Sequence, residues 1–176
     1  KDILQDASFF EAMDWGVELL VNCLKGGHKI MSCGNGGSMC DAMHFAEELS
    51  GRFRDDRPPL AALALSDVSA MTCVGNDYGF DQVFARQVQA LGRPGDVLLA
   101  ISTSGNSSNI LEACRAAKAA GMHVVSLTGK GGGALRPMAD VDVCVPWSGY
   151  ADRIQEVHIR CIHSWIDAIE QALTQG

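Results

Sequence analysis

Short apolar runs alternate along this chain with longer segments in which apolar residues recur every three or four positions. Five runs have the length and composition of buried strands: residues 29–33, 60–65, 96–102, 123–128 and 141–145. The longer segments have the periodicity of amphipathic helices. Strands and helices that alternate at this spacing predict an α/β domain with a mostly parallel sheet.

Caps and breakers mark where the predicted helices begin and end. Asp67 is predicted to cap a short helix that ends before a turn at residues 75–79 (GNDYG). A glycine loop with a short helix is predicted after the fourth strand. The other helices are predicted at residues 2–25, from 38 onward, 80–91, 109–120 and 149–174.

The bulk composition limits the function classes. With 176 residues, the chain is predicted to form one domain. No apolar run reaches the roughly 18 residues of a membrane span, and the acidic, helical N-terminal segment does not resemble a signal peptide. A net charge of −7 argues against general nucleic-acid binding, which needs clustered cations. It still permits a phosphorylated small molecule bound through backbone N–H groups.

Seven cysteines are dispersed along the chain and form no CxxC pair. This usage predicts buried, reduced thiols in a cytoplasmic protein. Cys33 and Cys40 flank a glycine turn, and core thiols are expected there rather than reactive ones.

The glycine turn GNGGS (residues 34–38) joins the first predicted strand to a helix that carries His44, Glu47 and Glu48. Its glycines permit backbone angles that other residues resist, and Ser38 is the expected N-cap. The turn matches neither GxGxxG nor the P-loop pattern, so it gives no support for a nucleotide site.

The i, i+4 spacing of His44 and Glu48 places both on one helix face, within reach of one substrate atom or metal ion. Glu47 lies about 100° away around the helix and is expected to be a solvated charge. Such a pair is also common as a plain surface contact, so the spacing alone leaves both interpretations open.

The loop STSGNS (residues 102–107) follows the third predicted strand and offers hydroxyls, backbone N–H groups and a helix N-terminus. This combination suits a phosphate, although it is also typical of a Ser/Thr-rich turn. The loop has no lysine, which argues against nucleoside triphosphates. Both this loop and GNGGS follow the carboxyl ends of strands, where ligands bind in parallel sheets.

The last helix carries a polar stripe among isoleucines. Asp152, Gln155 and His163 fall within an arc of about 80°. Because unpaired buried polar groups are costly, the stripe is expected to be functional. A core histidine is the alternative for His163. His158 lies about 140° from His163 and is expected to be a separate site or a surface residue.

Six motifs together carry a family resemblance: GNGGS, HFAEELSGR, VGNDYGF, GDVLLAISTSGNSSNI, LTGKGG and YADRIQEVHIRCIH. The chain resembles the bacterial phosphoheptose isomerases (sedoheptulose-7-phosphate isomerases) of the sugar isomerase, or SIS, superfamily, from about residue 15 to 170. The resemblance implies a five-stranded parallel sheet flanked by helices (flavodoxin- or Rossmann-like), a single SIS domain over residues 1–176, and a homotetramer with active sites between subunits. Such proteins begin with a longer N-terminal helix, so this helix is expected to be incomplete here.

The resemblance also implies a role for each matching residue. Glu48 is the proton-transferring base and His163 its acid partner. The phosphate is held by Ser102, Thr103, Ser104 and Ser107. The sugar is lined by Asn35, Gly36, Gly37, Asn76, Asp77, Asp152 and Gln155. One zinc ion per subunit is bound by His44, Glu48, Gln155 and His163.

The implied reaction converts D-sedoheptulose 7-phosphate to D-glycero-D-manno-heptose 7-phosphate through an enediolate. It is the first step toward ADP- or GDP-heptose for lipopolysaccharide or other surface glycans. It needs a carboxylate base, an acid and stabilisation of an oxyanion, which zinc supplies as a Lewis acid. How one carboxylate serves as both base and zinc ligand is left open.

Two alternatives remain within the superfamily. One is a non-catalytic phosphosugar-binding or replication-initiator-associating protein. Such relatives lack the equivalents of Glu48 and His163, and the presence of both residues favours an enzyme. The other alternative is an isomerase of a different ketose phosphate, against which the HFAEEL and YADRIQE motifs argue by resemblance.

Helix length adds one expectation about assembly. If the helix begins near Ser38, Glu48 lies about 15 Å from its start. The base then cannot sit beside the turn that opens its own helix. We therefore expect the helix at residues 149–174 to pack in a subunit interface, so that Glu48 and His163 meet a phosphate loop from another chain.

Overall fold

Five parallel strands form the central sheet of the computed structural model, which describes residues 3–174. The strands are β1 (Ile30–Gly34), β2 (Ala62–Ala64), β3 (Val97–Ser102), β4 (His123–Gly129) and β5 (Val141–Val145). Their order across the sheet is β2-β1-β3-β4-β5, and every neighbouring pair is parallel. The predicted α/β class and five-stranded parallel sheet are confirmed.

Helices cover both faces of this sheet. They are α1 (Ala7–Lys25), α2 (Gly37–Ser50), α3 (Val68–Tyr78), α4 (Ala85–Leu91), α5 (Ser108–Ala119) and α6 (Ala151–Thr174). Short 3-10 helices lie at Ile3–Gln5, Phe80–Gln82 and Arg136–Met138. Among residues 3–174, no helix is long and apolar enough to cross a membrane.

Two hydrophobic cores lie on opposite faces of the sheet. Every residue of β3 is buried, and its side chains alternate between the two cores. Leu99 packs with residues of α1, α2 and α6, whereas Leu98 packs with residues of α4 and α5. Burial of both faces explains why the strands are continuous apolar runs rather than alternating ones.

The strand order places a topological switch point between β1 and β3. The chain leaves β1 toward β2 on one side and leaves β3 toward β4 on the other. Ligands of such sheets bind in the crevice outside the carboxyl ends of the strands at this point. The turn at residues 34–38 and the loop at residues 102–107 therefore border one crevice.

Two local predictions are wrong. Helix α3 continues through the predicted turn and ends at Tyr78, before Gly79 with φ +89°. Packing of Met71 and Val74 against the core outweighs the poor helix propensity of the GND sequence. The helix predicted at residues 80–91 is interrupted and begins at Ala85 as α4. At the N-terminus, the predicted start at residue 2 lies outside the described residues.

Ser38 is also not the N-cap of α2. Gly36 occupies that position with φ +55°, and Ser38 is buried inside the first turn. The turn is so tight that a Cβ on Gly34 would lie 2.3 Å from the backbone oxygen of Ser38. Only glycine fits there, which fixes how closely the turn follows β1.

The cysteines are all free, but not all are buried. Cys33 is buried as predicted, whereas Cys40 and Cys73 are exposed, so the prediction of a core thiol is wrong for these two. The remaining cysteines are buried at 23, 114 and 161 and partly buried at 144.

Candidate active site

Helices α2 and α6 lie side by side and bring three of the predicted site residues together. His44 and His163 meet with their Nε2 atoms 3.0 Å apart. The carboxylate of Glu48 lies one turn further along α2, with its Oε1 atom 3.4 Å from Nε2 of His44. A carboxylate and two imidazoles thus converge at one point of a single chain.

This cluster is open to solvent on one side. Glu48 is 16% exposed and His44 is 37% exposed, while His163 is classed as exposed. The ring of Phe53 lies 5.7 Å from that of His163 and forms an apolar wall that the sequence analysis missed. Since His163 is accessible, its alternative role as a core histidine is wrong.

The core histidine is His158 instead. Its side chain is fully buried, and its Nε2 lies 3.0 Å from the backbone oxygen of Thr128 in β4. Burial lowers the pKa of His158 to about 4, so the ring is neutral at pH 7 and Nε2 donates to the carbonyl. The expectation of a surface residue is wrong.

The helical wheel contained a signal for this outcome. His158 lies within about 60° of Ile154, Cys161 and Trp165 on the wheel, and all three are buried. The neutral imidazole fixes α6 against β4. The opposite face of α6 then carries His163 toward α2.

The donor atoms of this cluster suit a zinc ion. Imidazole nitrogen and carboxylate oxygen are common zinc ligands, and adjacent ligands at a tetrahedral ion lie about 3.3 Å apart. The observed separations of 3.0 and 3.4 Å are close to that value. His44, Glu47 and Glu48 also form a group whose ligand atoms all lie within 4.8 Å of one another. Glu47 is 64% exposed, in line with its expected solvation, but its Oε1 lies 3.7 Å from Nδ1 of His44.

Gln155 contacts the start of α2. A Cβ on Gly37 would be 2.6 Å from Nε2 of Gln155, so the carboxamide rests against the first turn of α2. Two contacts thus link α2 and α6. Gly37 meets Gln155 at one end, and His44 meets His163 two turns further along.

The loop after β3 forms a compact group of hydroxyls. The Oγ atoms of Ser102 and Ser107 are 3.3 Å apart. Ser104 Oγ accepts a hydrogen bond from the backbone of Asn106. Ser107 is the N-cap of α5, but its side chain makes no capping bond. Its hydroxyl therefore stays available beside the helix N-terminus, and Thr103 lies partly buried in the same loop.

A second loop holds this one in place. A Cβ on Gly105 would lie 1.9 Å from the backbone oxygen of Gly132, and Leu135 donates its backbone N–H to Gly105. The side chain of Asn106 accepts a bond from the backbone of Ala134. Residues 102–107 are therefore braced by residues 132–135 before any ligand binds.

The other predicted sugar contacts are spread around the crevice. Asn35 exchanges two hydrogen bonds with Asn109, a residue that the sequence analysis did not single out. The sequence feature that could have identified Asn109 is a polar residue on the apolar face of α5. Asn76 donates to Asp77, and both are exposed on α3. The remaining three, Gly36, Gly37 and Asp152, are exposed.

The cluster of His44, Glu48 and His163 and the loop at residues 102–107 lie at different distances from the carboxyl edge of the sheet. Helix α2 begins at the carboxyl edge of β1, and Glu48 lies about 16 Å along it. Half-buried Asp41 lies between these levels. Burial raises its pKa to about 6, an effect that the nearby charge of His44 opposes.

Comparison with known proteins gives consistent matches. The model of the SIS domain matches residues 5–129. The phosphoheptose isomerase of Tolumonas auensis is 56% identical over 172 residues, which cover 98% of this chain and 90% of that protein. The solved phosphoheptose isomerase of Neisseria gonorrhoeae has a TM-score of 0.86 at 50% identity, covering 92% of this chain and 86% of the other. That of Francisella tularensis has a TM-score of 0.88 at 45% identity with the same coverage.

Proposed function

The chain belongs to the SIS domain family and, within it, to the phosphoheptose isomerases, and we propose that it converts D-sedoheptulose 7-phosphate to D-glycero-D-manno-heptose 7-phosphate. The observation that carries this proposal is the convergence of His44, Glu48 and His163 at the contact of α2 and α6. A phosphosugar-binding protein without catalysis has no need of a carboxylate and two imidazoles at one point.

The proposed reaction moves a proton between two carbons of the open-chain sugar. Glu48 removes a proton from C1 of the ketose while His163 donates a proton to the C2 oxygen, which gives an enediol. Glu48 then returns its proton to C2, and the imidazole of His163 takes the proton of the C1 hydroxyl, which leaves the aldehyde at C1. Each residue ends in its starting state, as general acid–base catalysis requires.

The phosphate is proposed to bind in the loop after β3. The hydroxyls of Ser102, Thr103, Ser104 and Ser107 line this loop. The N-terminus of α5 adds free N–H groups and a partial positive charge. A loop without lysine is sufficient for one phosphate group because these donors together replace its hydration.

The sugar is proposed to lie between this loop and the turn after β1. Asn35 and Gln155 present carboxamides that can donate to and accept from sugar hydroxyls. Gly37 lacks a Cβ, which leaves room for the Gln155 carboxamide against α2. The proposed sugar contacts are Asn35, Gly36, Gly37, Asn76, Asp77, Asp152 and Gln155.

Zinc is proposed as the resident metal, one ion per subunit. His44, Glu48 and His163 would hold it, with Gln155 as the fourth ligand implied by the family. When bound, the ion stabilises negative charge on the enediolate oxygens as a Lewis acid. The chain's own residues orient the sugar and transfer its protons.

We propose a homotetramer because Glu48 and the phosphate loop of the same chain lie far apart. The base lies about 16 Å from the start of α2, whereas the loop lies at the carboxyl edge of the sheet. A loop from a neighbouring subunit, packed against α6, would complete the site. The seven free cysteines are in keeping with a reducing compartment, for which we propose the cytoplasm.

The proposed function is tested with the purified protein and sedoheptulose 7-phosphate. Proton NMR should show the anomeric signals of the aldose product appearing at a rate proportional to protein concentration. Addition of a chelator followed by zinc should remove and then restore this rate. Absence of product with zinc-loaded protein would overturn the proposed activity.

A further inference from the structure

Two carboxamides bond to each other across the switch point of the sheet. Asn35, which directly follows β1, donates from Nδ2 to Oδ1 of Asn109 at 2.9 Å. Asn109, in the first turn of α5, donates from Nδ2 to Oδ1 of Asn35 at the same distance. Asn109 is 2% exposed, whereas Asn35 is half-buried. This reciprocal pair joins the two ligand loops across 74 positions of sequence.

We propose that Asn109 is the positioning residue that orients the carboxamide of Asn35 for binding the sugar. The inference rests on the proposed function, in which Asn35 contacts the substrate. Each carboxamide has two N–H donors and one oxygen with two lone pairs. The pair uses one donor and one lone pair of Asn35, so one of each is left for a sugar hydroxyl.

Reciprocal bonding distinguishes the two ends of the Asn35 amide. A 180° rotation of the Asn35 amide would place its oxygen against the oxygen of Asn109 and its NH₂ group against the other NH₂ group. Both hydrogen bonds would be lost in this partly buried contact. The orientation of Asn35 relative to Asn109 is therefore fixed before the substrate arrives, which reduces the ordering cost of binding.

The pair also ties the sugar contact to the phosphate loop. Asn109 lies two residues after Ser107, the N-cap of α5. On the other side, the backbone oxygen of Asn35 accepts a bond from the N–H of Ser38, which holds it to the start of α2. The Asn35–Asn109 pair therefore connects the proposed sugar contact to the proposed phosphate loop.

Stability alone does not require asparagine at positions 35 and 109. An apolar pair of similar shape can stabilise a buried contact equally well. What an apolar pair cannot do is choose one of two amide orientations. The polar pair therefore specifies direction, which matters where one member faces a ligand.

The Asn109→Asp substitution tests this inference through pH. A protonated carboxyl reproduces both bonds, because its O–H donates to Asn35 and its carbonyl accepts. An ionised carboxylate repels the oxygen of Asn35. Burial raises the pKa of the new acid from its usual value of about 3.9, whereas the positive N-terminus of α5 lowers it, so the measurement follows the whole pH range rather than one midpoint. Asp81 accepts a hydrogen bond from Ser108, the residue before Asn109. Because Asp81 is present in both proteins, its effect on KM cancels in the ratio.

The measured quantity is the KM of the variant divided by the KM of the wild type at each pH from 5 to 8. We expect this ratio to stay within about threefold where the carboxyl is protonated and to be about tenfold where it is ionised, the effect of one lost hydrogen bond. The kcat ratio should change less. Gln89→Glu, the same amide-to-acid change on the exposed face of α4, should give a flat ratio near one.

A second variant, Asn109→Ala, and the activity of the wild type complete the test. Where Asn109→Asp does not fold, Asn109→Ala removes both bonds without a charge and should raise KM about tenfold at every pH. A KM ratio near one for Asn109→Asp at every pH, or an unchanged KM for Asn109→Ala, in the presence of normal wild-type activity overturns the inference alone. A wild-type protein that does not isomerise the sugar overturns the proposed function, and this inference with it.

Discussion

His44 and His163 lie 119 positions apart in sequence and meet with their Nε2 atoms at 3.0 Å. Two neutral imidazoles can share one proton at this distance, so one ring donates and the other accepts. A cation between them would satisfy both nitrogens at once. Because Glu48 lies against the same nitrogen of His44, the proposed proton transfer and the proposed metal binding share this contact.

The first prediction concerns this contact. His44→Ala and His163→Ala should each lower zinc affinity by more than about tenfold, since even outer-shell partners change metal affinity 10- to 100-fold. Competition with a chromogenic chelator measures the affinity without reference to activity. His123→Ala, at an exposed histidine on β4, is the matched control and should bind zinc as the wild type does. Unchanged affinity in both site variants would exclude this metal site.

A second prediction follows from the Gly37–Gln155 contact. Gly37→Ala places a methyl group 2.6 Å from Nε2 of Gln155 and displaces that carboxamide. We expect KM to rise severalfold with little change in Tm, because the displaced atoms are the end of a flexible side chain. Gly75→Ala in α3 meets only Val83, at 3.7 Å, and should raise stability by up to about 1 kcal/mol. Equal KM values for Gly37→Ala and the wild type would remove Gln155 from the substrate site.

A third prediction uses the buried histidine. The pKa of His158 is about 4 in the folded protein and about 6.5 when unfolded, so the unfolded state binds the extra proton first as pH falls. Stability from this group is therefore complete above pH 6.5 and is lost between pH 6.5 and 4, by up to about 3 kcal/mol. In His158→Gln, which keeps a donor for Thr128 but cannot titrate, this loss should be absent.

Urea unfolding at several pH values measures the difference between wild type and His158→Gln. Above pH 7.5 the difference gives the baseline, since both side chains are neutral there. Below pH 6.5 the free energy of unfolding of the wild type should fall relative to that of His158→Gln. Parallel curves down to pH 4 would show that the His158 ring is not held neutral in the core.

The fourth prediction concerns assembly. A Glu48→Gln chain and a Ser104→Ala/Ser107→Ala chain should each be nearly inactive alone. If base and phosphate loop come from different subunits, mixed tetramers contain some sites with both intact parts and should regain part of the activity. Each variant denatured and refolded alone is the control. Correctly formed mixed tetramers without activity would mean that each subunit holds a complete site.

Local features of the site were predictable from the sequence. The i, i+4 spacing placed His44 and Glu48 on one face, and short apolar runs before glycines located β1 and β3. These depend on residues close in sequence, where periodicity and turn chemistry decide the result. The strand β5 was predicted with the same bounds that the structure has.

Long-range packing was not predictable in the same way. The helical wheel separated His158 from His163 and grouped it with apolar residues, but its bond to the Thr128 oxygen depends on the packing of α6 on β4. Likewise, α3 continues through GNDYG because Met71 and Val74 find a core to pack against. The Asn35–Asn109 pair depends on two strands becoming neighbours at the switch point, which no local pattern specifies.

The central claim is that Glu48 transfers the proton between C1 and C2, and exchange with solvent deuterium tests it most directly. Wild-type protein with sedoheptulose 7-phosphate in D₂O should incorporate deuterium at the transferred position, as NMR or mass spectrometry can follow. Glu48→Gln should slow this incorporation about 10²- to 10⁴-fold, the usual effect of losing a general base. Glu18→Gln, at an exposed carboxylate on α1, should not slow it. A correctly folded Glu48→Gln protein that exchanges the proton at the wild-type rate would contradict the claim.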